Sequence, residues 1–170
     1  MITNVHDADL TNTAFERLKY FVNEEMFSTV FVNGNSQDVC KRYIHAGIRI
    51  TSLPNEPVDQ IIGFMLFHKL NAIMEERISV LEIELSSSLG DHMVYLHNDQ
   101  ENTEDIEMPA WWTSPDLVHC DLSLLNNDSN TVPLHSAIWR DLNLAWPEEQ
   151  VTQETGNIVF ADFGRDETKP

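Results

Sequence analysis

VDQIIGFMLFHKLNAIMEERI (residues 58–78) runs straight into SVLEIELSS (residues 79–87). The first stretch predicts a helix and the second a strand, and that change of period decides the fold class. Pro57 stands ahead of the first helical turn and Asp59 lies within it. A fixed φ and a carboxylate both favour a helix start. Val58, Ile61, Ile62, Met65, Leu66, Leu70 and Ile73 trace an apolar stripe at helical spacing. Because IIGFMLF is apolar on nearly every side, this helix is expected to be central and covered on more than one face. Gly63 costs about 1 kcal/mol against alanine inside a helix. Its expected use is to let a neighbouring backbone come close. In 79–87 the period falls to two: Leu81, Ile83 and Leu85 are expected inward, Glu82 and Glu84 outward.

Upstream, Thr11 or Thr13 can cap a helix through AFERLKYFVNEEMF, with Phe15, Leu18, Tyr20, Phe21 and Val22 as its apolar side. STVFV (28–32) predicts a short strand and NGN (33–35) a turn. Ser36 can cap a helix over QDVCKRYIHA, which Gly47 stops. IRITSL (48–53) reads as a strand with Arg49 and Thr51 on one face. Downstream, HMVYLH (92–97) and DLVHCDLSL (116–124) are expected to complete an antiparallel meander on the long helix. SAIWRDLNLAW (136–146) reads as a short helix ended by Pro147, and NIVFADF (157–163) as a late strand. The expected fold is a single α+β domain over residues 1–170. It has two layers, a mostly antiparallel sheet packed against two or three helices. An acidic loop at 98–110 lies within it, and the tail at 164–170 is expected to fray.

Charge is the strongest functional signal. The chain has 170 residues and a formal net charge of −18. Residues 1–77 carry ten acids and seven bases; residues 78–170 carry eighteen acids and three bases. From Ile78 to Trp139 there is no lysine or arginine. Such a surface repels phosphate backbones and anionic membranes, so direct nucleic-acid binding and membrane binding are not expected. It attracts basic proteins and speeds encounter with them. The plain alternative is an acidity that serves only solubility. Cys40 and Cys120 show no paired spacing, which fits a reduced, cytoplasmic protein (the host cytoplasm, if the source is viral). No secretory signal is read at the N-terminus.

NDQENTEDIEMPAWWTSPD (98–116) concentrates this pattern. Its acids include Asp99, Glu101, Glu104, Asp105 and Glu107, followed by the pair Trp111 and Trp112. In an extended segment the two indoles point to opposite sides, one into the core and one outward as an aromatic anchor. With Glu82 and Glu84 these residues form the expected partner-binding set. In composition the chain resembles the small, acidic, non-catalytic anti-restriction, anti-nuclease and anti-CRISPR proteins of phages and plasmids. That resemblance rests on no motif and implies no residue assignments. It implies an inhibitor or decoy that sits on a basic, nucleic-acid-binding protein or nuclease complex in place of phosphates.

Two other readings compete. His119 and Asp121 share one face of a predicted strand, and His97 ends the strand before it. Together they make a His₂-carboxylate set of the kind that holds zinc or iron in a metal-dependent hydrolase. His92 falls on the opposite face. No HExxH or CxxC spacing supports the set, no cofactor motif such as GxGxxG or GxxxxGK[ST] is present, and Cys40 reads as a small buried residue. The balance is against an enzyme, and no cofactor is expected. The third reading is a structural or assembly component of a virus particle. Homo-oligomerisation is open under all three.

Overall fold

A computed structural model describes residues 1–88, 94–98, 108–117 and 138–148. In chain order the elements are β1 (Ile2–Thr3), α1 (Ala8–Tyr20), a π-helical turn (Phe21–Met26), β2 (Val30–Asn33), α2 (Gln37–His45), β3 (Ile50–Leu53), α3 (Asp59–Met74), β4 (Ile78–Ser79), β5 (Glu82–Leu85), β6 (Tyr95–Asn98) and a 3₁₀ turn (Ala110–Trp112). The class is α+β. Among the described residues the strands divide into three two-stranded sheets rather than one: β1–β4 and β5–β6 are antiparallel, β2–β3 is parallel. The parallel pair needs a crossover, and α2 supplies it. Val32, Cys40 and Ile50 close a small cluster inside that unit. Burial pushes the Cys40 thiol up, as suits an inert core cysteine.

α3 is the organising element. One side packs Phe67, Leu70, Ile73 and Met74 into a cluster with Ala14, Phe21, Trp139 and Trp146. Another packs Phe64 and Met65 against Leu53, Trp111 and Trp112. The expectation of a helix covered on more than one face holds. It ends at Glu75, whose φ of 46° is left-handed, followed by Glu76 at 64°. Consecutive positive φ values at non-glycine residues carry strain. Contacts to Glu75 described below hold the first; the Asn4 amide donates to the Glu76 carbonyl at 2.8 Å beside the second.

Several local expectations shift. α1 starts at Ala8, because the Asp7 carboxylate accepts from the Asp9 and Leu10 amides; Thr11 and Thr13 lie inside the helix. Its buried line is Ala14, Arg17 and Phe21, while Phe15 and Val22 are exposed. All four residues of β3 are buried, so Thr51 faces no solvent; its hydroxyl shares a 2.9 Å hydrogen bond with Thr29. Leu81 is exposed, because the strand run breaks between β4 and β5. The described part of 136–146 forms turns rather than a helix, with Asn143 at a φ of 57°. Gly47 does stop α2, at a φ of 72°. The expected strand at 157–163 and the tail at 164–170 lie outside the described residues, as does all but the start of the expected strand at 116–124.

Gly63 serves a close approach, but of a ring. A Cβ added there would stand 2.9 Å from two ring carbons of Tyr95 on β6. The Tyr95 ring is tied down, since its hydroxyl and His97 Nδ1 lie 3.1 Å apart in a hydrogen bond. Gly63→Ala should therefore lose stability although alanine is the better helix former. Overpacking costs about 1–3 kcal/mol against the roughly 1 kcal/mol that alanine returns. A net loss near 1 kcal/mol in denaturant unfolding is expected; a stabilised variant would mean that the ring moves freely.

Candidate functional site

Glu82 and Glu84 stand on one face of β5, about 7 Å apart along the strand. Both are exposed. They lie directly opposite Asn98 and Leu96 of β6, and Leu96 is exposed as well. The alternate residues pair on the other face, Ile83 opposite His97 and Leu85 opposite Tyr95, against α3. The outer face of this hairpin is thus acidic with an aliphatic centre.

β5 is fastened at both ends by side chains of α3. The Asn71 amide takes the place of a strand partner at Val80: its Oδ1 accepts from the Val80 N–H at 2.8 Å, and its Nδ2 donates to the Val80 carbonyl at 3.2 Å. Asp59 Oδ2 accepts from the Ser87 amide at 3.1 Å. A strand of four residues gains rigidity from such fixed ends, so the two carboxylates are presented in a set geometry. Neither Asn71 nor Asp59 was legible as a positioning residue, although both stand at polar positions of an apolar helix.

The tryptophan pair departs from expectation. Trp111 is 6% exposed and Trp112 0%. Pro109 is followed by a 3₁₀ turn rather than extended chain, so the two indoles do not alternate across a strand. Trp112 packs edge-on to Phe64, and the two tryptophans sit edge-to-face at 6.1 Å. Among the described residues neither indole N–H meets an acceptor. An outward aromatic anchor is therefore absent from this segment as folded. Leu96, with Val94 two residues before it, supplies exposed apolar surface beside the carboxylates instead.

What holds the tryptophan segment in place is Lys69, whose residue exposure is 0%. Its Nζ donates to the carbonyls of Trp111 at 3.1 Å, Ser114 at 2.9 Å and Asp116. Desolvation lowers its pKa from the ordinary 10.5 to about 7, with the Asp116 charge acting in the opposite sense. A second buried base, Arg17, joins α1 to the segment at 138–148. Its Nε donates to the Leu144 carbonyl at 2.7 Å, and its Nη1 to Glu75 Oε1 at 2.8 Å. The guanidinium lies 3.8 Å from the Trp146 ring centroid, and Arg77 lies 4.0 Å from the same ring. The Trp146 N–H donates to Glu75 Oε1 at 2.8 Å.

His97 is buried among Phe64, Phe67, His68 and Tyr95. His119 and Asp121, its expected metal partners, lie outside the described residues, as do Asp99, Glu101, Glu104, Asp105 and Glu107. Among the described residues no cluster of three histidine, cysteine or acidic side chains converges as a ligand set, and no helix is long and apolar enough to cross a membrane. A scan against protein-family models finds no match to this chain, and searches of the curated proteins and the solved structures find none.

Proposed function

We propose that this chain is a non-enzymatic acidic binding protein, an inhibitor or decoy that covers a basic, nucleic-acid-binding surface on another protein. A counter-defence or host-takeover factor of a phage or plasmid is the setting that such a protein fits. The observation that carries the reading is the run from Ile78 to Trp139 without a base, in which Glu82 and Glu84 project from the outer face of a hairpin fastened to α3. Carboxylates at regular spacing on a rigid strand can stand in for phosphates, and the exposed Leu96 on β6, opposite Glu84, can give the contact a desolvated centre. The acids at 99–107 extend the same sign of charge along the chain.

Charge attraction of this kind weakens as salt shortens the screening length from about 10 Å at 0.1 M to about 3 Å at 1 M. Affinity capture from a host lysate at low and high salt is the test. A basic nucleic-acid-binding protein should be retained at low salt and released at high salt. Changing Glu82→Lys and Glu84→Lys together should cut its retention about tenfold, because like charge is then set against like. Folding stability should change by about 0.5 kcal/mol or less, since both side chains are exposed. Retention of no such protein, or equal retention by the double variant, would overturn the proposal.

A further inference from the structure

The NGN turn (33–35) holds the one Asn-Gly pair of the chain, Asn33–Gly34. An asparagine followed by glycine is chemically labile, because no side chain shields the glycine nitrogen. That nitrogen attacks the side-chain Cγ of the asparagine. An N–Cγ bond forms, the Cγ–Nδ2 bond breaks, and ammonia leaves with the glycine's amide proton. The resulting succinimide takes up water at either carbonyl and gives aspartate or isoaspartate. Ring closure requires two groups to turn toward each other: the asparagine side chain and the peptide unit that follows it.

Both groups are held in this fold. The peptide unit is gripped at each end: the Gly34 N–H donates to the Leu53 carbonyl at 2.8 Å, and the Asn33 carbonyl accepts from the Ser36 N–H at 3.0 Å. The side chain is gripped likewise. Its Oδ1 accepts from the Asn35 N–H at 3.0 Å, and its Nδ2 donates to Glu56 Oε1 at 2.9 Å. Asn33 is also the last residue of β2, paired with Leu53 of the buried β3. The tie to Glu56 is the outermost of these, since Glu56 is exposed and reaches Asn33 from the loop ahead of α3. It holds Nδ2, the group that must leave. We propose that Asn33 is a spontaneous deamidation site which the fold keeps shut, with the Glu56 carboxylate as its outer catch. The change is one-way. The product bears a carboxylate where a donor met Glu56, so like charge faces like across the former bond and the turn does not reclose as before.

Peptide mass mapping of the full chain, incubated folded and in urea at the same mildly alkaline pH, measures conversion at Asn33. The folded parent should convert at least about tenfold more slowly than the unfolded chain, because ring closure waits on local opening. Glu56→Ala should speed conversion of the folded chain about threefold, the worth of one exposed hydrogen bond. Glu56→Gln keeps an acceptor oxygen and should stay within about twofold of the parent. Asn33→Asp, which builds one product directly, should lose protection of the Gly34 amide in hydrogen exchange by about tenfold. An unfolded chain that leaves Asn33 intact, or a folded parent that converts as fast as the unfolded chain, would overturn the proposal. So would a Glu56→Ala chain no faster than the parent, since Glu56 would then be no catch, and full Gly34 protection in Asn33→Asp would refute the one-way step.

Discussion

Arg17→Met is expected to cost about 3–4 kcal/mol of folding stability, the upper range for a single substitution. Arg17 is 1% exposed, and its guanidinium meets three kinds of partner at once. It donates to the Leu144 carbonyl and to the Glu75 carboxylate, and it lies over the Trp146 and Trp139 rings at 3.8 and 4.8 Å. Methionine would fill much of the volume but donate nothing. Glu75 would keep the Trp146 N–H and Arg77 as partners, and its side chain is 35% exposed. That is why the loss should stay near the lower end of what breaking a buried ion pair costs, about 3–5 kcal/mol. The Leu144 carbonyl loses its donor, and a desolvated cation–π contact of about 2 kcal/mol goes with it. Arg17→Lys should recover less than half, because an ammonium cannot fork to a carbonyl and a carboxylate while stacking on an indole. Denaturant unfolding measures the loss. Hydrogen exchange locates it: amides at 144–146 should lose protection before those of α3. A loss below about 1 kcal/mol would mean that the segment at 138–148 is held by its tryptophans alone.

The parts of this fold that were legible are those set by local pattern. The helix expected over 58–78, found over Asp59–Met74, is marked by its period, and its burial on several sides by composition. Glu82 and Glu84 face outward because a strand alternates. Gly47 and Cys40 behaved as their chemistry suggests. The parts that were not legible depend on partners distant in sequence. Arg17 interrupts an apolar line of Ala14 and Phe21, and Lys69 sits four positions before Ile73 in the stripe of α3. A base at such a position signals a buried cation, yet its acceptors include a main-chain carbonyl 127 residues away for Arg17, beside the Glu75 carboxylate, and carbonyls 42 to 47 away for Lys69. Every residue has a carbonyl, so no sequence pattern marks which ones are used. The tryptophan pair failed for a related reason: alternation holds only in extended chain, and Pro109 opens a 3₁₀ turn. The sequence predicts two strands flanking a helix at 28–53, but their parallel pairing rests on the crossover, not on either strand's composition.

Lys69→Met should destabilise the fold by an amount that grows with pH. Removing Nζ takes the donors from the carbonyls of Trp111, Ser114 and Asp116, all three of which an ammonium can serve and only two of which a neutral amine can. The bond to Trp111 is buried and those to Ser114 and Asp116 are part-buried, so leaving the Trp111 acceptor unpaired costs about 1–3 kcal/mol and the other two cost less, before any return. The return is the desolvation of the ammonium, which methionine does not suffer. That return depends on protonation. Lys69 loses its proton at about 7 in the folded chain and near 10.5 when solvated. Between those values the unfolded chain holds a proton that the folded chain does not, so the stability of the parent rises with pH across this window. It is lost again as pH falls through 7, where the folded protein must keep a charge among Phe21, Trp111 and the loop carbonyls. The gap between parent and variant should therefore be wider at pH 9 than at pH 6, by about 2–3 kcal/mol. Comparing the two chains at each pH cancels the self-repulsion of the carboxylates, which both share. Urea unfolding of parent and variant at matched ionic strength gives the gap directly. A gap that stays constant from pH 6 to 9 would show that three carbonyl dipoles and Asp116 offset the whole desolvation penalty, leaving Lys69 a permanently charged pin. A gap that narrows with pH would reverse the sign, and with it the account of what the buried lysine contributes to the tryptophan segment.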